Sequence, residues 1–146
     1  MSDQATQNQE PEISEEEAKR LLADAQANLE KQVAKAKQLF TQNIKLADER
    51  LKHATQKLQE TEAMRDQVAA HKDHPEGGYH FKNLDLLCRV FGANKTMMEI
   101  EKAANQQNLA IAESEEMVEN PPFAVPSQNP LYMEARSRVD YTLGVV

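Results

Sequence analysis

The chain has 146 residues, of which 28% are charged, 40% hydrophobic and 5% aromatic, with no Trp and a formal net charge of −7. That composition excludes a thick aromatic core and favours long helices over sheets, because the Ala, Gln, Lys, Glu and Leu of the first half lose little rotamer freedom in a helix. An acidic chain is a poor general nucleic-acid binder, and its single cysteine, Cys88, rules out an internal disulfide and points to a reducing compartment.

The charge is unevenly spread. Residues 1–17 carry six acids and no base, residues 18–72 carry eleven bases and seven acids, and residues 73–146 carry six bases and eleven acids. The opening MSDQATQNQE is too polar and acidic for a signal or transit peptide. Residues 1–13 lack apolar periodicity, which predicts a disordered acidic arm. No apolar run approaches the roughly 18 residues of a membrane span. The expectation is therefore a soluble chain without a membrane partner. Its expected localisation is cytoplasmic, or in a particle assembled from the cytoplasm.

Residues 14–72 form the predicted long helix. Ser14 caps it, Glu17 completes a capping box, and Glu15 and Glu16 add charge that suits a helix N-terminus. No Gly or Pro intervenes before Pro75. Apolar residues recur eleven apart in three series: Ala18, Leu29, Phe40 and Leu51; Leu22, Val33 and Ile44; Ala25, Ala36, Ala47 and Leu58. An eleven-residue repeat keeps a seam nearly straight or weakly right-handed. About 59 residues at 1.5 Å each span roughly 88 Å, too long for the rest of the chain to cover. Leu22, Leu29, Val33, Phe40, Ile44 and Leu51 are thus the expected seam of a coiled-coil-like oligomer. Beyond Ala47 the spacing turns heptad-like and weakens at Thr61 and Arg65.

Residues 73–80 are the predicted turn. Pro75 disfavours helical geometry at His74, and Gly77 and Gly78 permit a reversal. Residues 81–119 are the predicted helical return segment, in two pieces. The first, 81–91, has Leu84, Leu87, Cys88 and Phe91 at helical spacing and Gly92 as its stop. The second starts on a capping box at Thr96 and Glu99 and runs to about Glu119, with Met97, Ile100, Ala104, Gln107, Ile111, Ser114 and Val118 as its seam. Residues 120–146 read as a Pro-rich linker and docking tail. Asn129-Pro130 opens a short helix to about Arg138, and an extended apolar end follows. Phe123, Leu131, Tyr132, Tyr141, Leu143, Val145 and Val146 are the candidate docking residues.

Little here suggests chemistry. His71, His74 and His80 lie within ten residues beside Asp73, with Cys88 nearby, but their spacing fits no standard zinc module. No metal is expected. Cys88 sits in the densest apolar segment and reads as a buried small hydrophobe. Phosphate loops, nucleophile elbows and H-E-x-x-H motifs are absent. The expectation is a protein that is not an enzyme and takes no cofactor. Lys31, Lys35, Lys45 and Lys52 lie broadly along one face with Gln38, Gln42 and Gln56 between them. No aromatic interleaves them, so the stripe reads better as a solubilising flank than as a nucleic-acid track.

The predicted fold is all-α: a long amphipathic coiled-coil-like helix, a Gly-Gly reversal, short and medium helices packing back, and an extended C-terminal tail. The predicted function is structural. The chain oligomerises with itself through the seam and meets other protein subunits through its N-terminal arm and C-terminal tail, as virion, scaffold and adaptor components do. Two alternatives remain open: a small regulatory protein that binds a partner protein, and a nucleic-acid-associated coiled coil.

Overall fold

The computed structural model describes residues 13–114 and 121–145. Their fold is all-α, with no strand among the described residues. The elements are α1 (Glu15–Ala69), α2 (Pro75–Glu113), a 3₁₀ turn (Pro126–Gln128) and α3 (Pro130–Val145). The chain divides into two compact units, Met1–Lys35 and Ala36–Val146, and α1 runs through the division. Most of the acidic arm, residues 1–12, lies outside the described residues.

The start of α1 follows its local sequence. Ser14 Oγ accepts a hydrogen bond from the Glu17 amide at 3.2 Å, and Glu15, Glu16 and Glu17 fill the first turn. At the far end the helix stops at Ala69, three residues earlier than expected. Residues 70–74 make the reversal through hydrogen-bonded turns, with the His71 amide donating to Val68 and the His74 amide to His71.

The predicted 73–80 turn is corrected here, because α2 already begins at Pro75. Proline suits the first helical position, and His74 caps the helix by accepting the Glu76 amide on Nδ1 at 3.3 Å. Gly77 and Gly78 are helical and neither has a positive φ. Their role is close approach. A Cβ on Gly77 would lie 2.1 Å from the His71 carbonyl oxygen, and one on Gly78 would lie 2.5 Å from that of Lys72.

The two predicted pieces of the return segment are one helix of 39 residues through Glu113, and residues 115–119 lie outside the described residues. The helix does not stop at Gly92 or restart at Thr96, whose hydroxyl donates back to the Gly92 carbonyl at 3.2 Å. A mid-helix glycine costs only about 1 kcal/mol. Buried Cys88, Val90, Ala93, Met97, Ala104, Asn108 and Ala112 run along the helix on both sides of Gly92, and their packing outweighs that cost.

Within the second unit, α1 and α2 form an antiparallel hairpin. Asn43 Nδ2 donates to Asn105 Oδ1 at 3.4 Å, Lys102 meets Asp48 at 2.9 Å, and Arg65 meets Asp85 at 3.2 Å. The residue numbers of each pair total about 150, so one register holds throughout. Against α2 runs α3, also antiparallel. Its inner stripe is Tyr132, Ala135, Val139 and Thr142, and it packs on a core of Ala93, Met97 and Ala135 with Met98 alongside. The extended tail is therefore corrected to a helix reaching Val145. Asn129 Oδ1 accepts the Leu131 amide at its start, and small Ala135 and Ala93 allow close packing.

Candidate interaction surfaces

Two parts of one repeat meet different surroundings. In the first unit every described residue is exposed except half-buried Val33. Leu22 is 61% exposed and Leu29 39%, with Leu21 beside them. Together Leu22 and Leu29 expose about one leucine's worth of surface, so covering both would contribute about 1.5–3 kcal/mol. The same register in the second unit is occupied from within the chain. Phe40 and Ala47 are buried, and Ile44, Leu51 and Leu58 are half-buried. The edge of one ring meets the face of the other where Phe40 packs on Phe123, with centroids 4.8 Å apart at 66°. Of the six expected seam residues, Leu22 and Leu29 are exposed and Phe40 belongs to the chain's own core.

The segment that delivers Phe123 is held by Asn108. This buried side chain donates Nδ2 to the Ala124 carbonyl at 2.9 Å and accepts the Ala124 amide on Oδ1 at 2.6 Å. Both backbone groups of half-buried Ala124 are thereby satisfied. Sequence reading missed Asn108, since it assigned the neighbouring Gln107 to the seam; Gln107 is exposed. Thr61 and Arg65, expected as weak seam positions, are likewise accommodated. Thr61 is buried with its hydroxyl donating to the Lys57 carbonyl at 2.7 Å, and Arg65 is half-buried against Asp85.

The docking residues of the tail separate. Phe123 packs inward, and the Tyr132 hydroxyl donates to Glu101 Oε1 at 3.2 Å. Leu131, Tyr141 and Leu143 stay exposed. The Val145 side chain and Val146 lie outside the described residues. Leu143 and Thr142 of α3 join Tyr79, Leu86, Leu87 and Val90 of α2 around a groove of about 410 Å³, with Lys82 and Asn83 at its rim.

Charged groups serve the hairpin. Asp48 is held below its ordinary carboxylate value first by the hydrogen bond from Lys102, then by the charges of Lys102 and Lys52. Burial pushes the Cys88 thiol up, opposed by nearby Arg65, so Cys88 is a neutral packing group at pH 7. Burial and Glu101 raise Tyr132 in the same way. His71, His74 and His80 are all exposed, and His74 Nδ1 is engaged as a helix cap. Among the described residues no group of three His, Cys, Asp or Glu side chains could hold a metal ion, and no helix is long and apolar enough to cross a membrane. Exposed Lys31, Lys35, Lys45 and Lys52 have no aromatic neighbour along the helix except Phe40, which is buried.

No protein-family model, curated protein or solved structure matches the chain.

Proposed function

We propose that this is a non-enzymatic assembly protein, a scaffold, adaptor or particle component, that self-associates through the apolar stripe of residues 18–33 in α1. The observation that carries this reading is the exposure of Leu22 and Leu29 on a repeat whose later members Phe40 and Ala47 are buried. A seam that is core in one part and bare in the next is incomplete in a single chain. In the same reading the N-terminal arm and the exposed tail residues Leu131, Tyr141 and Leu143 contact other subunits. Light scattering across micromolar concentrations tests the reading. A discrete oligomer that Leu22→Glu/Leu29→Glu converts to a folded monomer is the expected result. A wild-type chain that stays monomeric at tens of micromolar overturns it.

The groove between α2 and α3 favours a second reading, capture of a partner protein by a regulatory chain. Its lining is mostly apolar, and exposed Leu87 and Leu143 stand at its edge. If Leu87→Asp/Leu143→Asp abolishes biological activity while the oligomer persists, this second reading replaces the first.

A further inference from the structure

The charges along the bare part of α1 are sorted by end. Glu15, Glu16 and Glu17 fill its first turn, and Lys31 and Lys35 close the stretch. Between them Lys19 and Arg20 balance Asp24 and Glu30. Residues 15–25 carry four acids and two bases and residues 26–36 one acid and two bases, so the stretch is acidic in its first half and basic in its second. Glu17 lies 3.8 Å from Arg20, but both side chains are mostly exposed, and such a contact barely offsets the acidic end.

The apolar residues have their own symmetry. A two-fold axis between Ala25 and Gln26 sets Leu22 opposite Leu29 of a second chain and Ala18 opposite Val33, and both pairings repeat across the axis. The same operation sets Glu16 opposite Lys35 of the other chain, while Arg20 falls opposite Lys31. A parallel pair in register would stack apolar residues equally well. It would also set Glu15, Glu16 and Glu17 against their own copies. Helix dipoles oppose that arrangement too, since like ends would lie side by side.

We infer that the occupant of the residue 18–33 stripe is the same stripe of a second copy, running antiparallel, with Leu22 of each chain against Leu29 of the other. This inference rests on the self-association proposed above and adds its orientation. An antiparallel contact is isologous, so it closes at two chains along this surface.

Salt separates the two orientations in the unmodified protein. Sedimentation equilibrium would be run at about 0.02 M and about 0.2 M sodium chloride, where the screening length falls from roughly 20 Å to about 7 Å. Attraction between unlike ends predicts a dissociation constant that rises severalfold with salt. A constant that falls or stays level points to parallel pairing and overturns the inference, while self-association itself stands. A second measurement reverses the first turn as Glu15→Lys/Glu16→Lys/Glu17→Lys, with helix content followed by circular dichroism. Antiparallel pairing predicts weaker association, because the reversed first turn then repels Lys35 of the other chain. Unchanged or tighter association overturns the inference. A wild-type chain that is monomeric throughout removes the self-association reading and this one with it.

Discussion

Residues 15–35 and residues 36–69 of α1 share one helix and one eleven-residue apolar repeat, yet their energetics differ. Leu22 and Leu29 face water, while Phe40 and Ala47 face α2 and the segment around Phe123. Periodicity therefore reports that a face wants covering and is silent about what covers it. Return length decides that. In the hairpin register, Glu113 at the end of α2 stands opposite about residue 37, which is where burial along α1 begins.

The largest test of the contrast is truncation of the aromatic contact. Phe40→Ala should cost about 3–5 kcal/mol of unfolding free energy, as full removal of a buried ring does. In the monomeric state Leu29→Ala should stay within about 0.5 kcal/mol of wild type, as an exposed change does. Urea unfolding at low protein concentration measures both. Equal losses would mean that the two parts of the repeat are packed alike.

Next comes the polar clasp. Asn108→Ala leaves the Ala124 amide and carbonyl without their partner and should cost about 1–3 kcal/mol. Hydrogen exchange at Ala124 should accelerate more than exchange within α1. A variant with wild-type exchange there would show that the segment is held by Phe123 alone.

Smaller still is the effect at Gly92. No heavy atom lies within 4 Å of a Cβ built on it, so Gly92→Ala should raise stability by up to about 1 kcal/mol. Gly77→Ala should lower the melting temperature, since its Cβ meets the His71 carbonyl. Thermal melts of the two variants should move in opposite directions.

The smallest effect is electrostatic. The lowered Asp48 value means that its pairing with Lys102 stabilises the fold at pH above the ordinary carboxylate range and is lost as pH falls below about 4. Asp48→Asn should therefore differ from wild type at neutral pH and converge with it as acid protonates Asp48, read as urea midpoints. A gap that persists in acid would assign the loss to packing.

Much of the fold was legible where a local side chain decides the backbone. Ser14 marks the start of α1, and Asn129-Pro130 marks the start of α3. Legibility failed where tertiary packing overrode a local signal. Gly92 and Thr96 resemble a stop and a start, but the continuous buried face of α2 carries the helix through them. Tyr141, Leu143 and the residues around them look like an extended apolar tail. Burial of Ala135 and Thr142 against α2 makes them the last turns of a helix instead. Asn108 had no readable signal, because its partner is a main-chain unit sixteen residues away and carries no side-chain signature. For the candidate site, the stripe of Leu22 and Leu29 was readable from spacing alone. The place where it ceases to be free was not, since that depends on how far α2 returns.

The Asn108 clasp also bears on how this sequence can drift. It grips an amide and a carbonyl, which nineteen of the twenty residue types present alike. Position 124 is therefore open to replacement by nearly any residue whose side chain fits there, with proline forbidden because it lacks the donor. Position 108 has no such latitude: even aspartate keeps the acceptor and loses the donor. Among diverged copies of this chain, the fixed letter should stand on the helix and the variable one on the segment it holds.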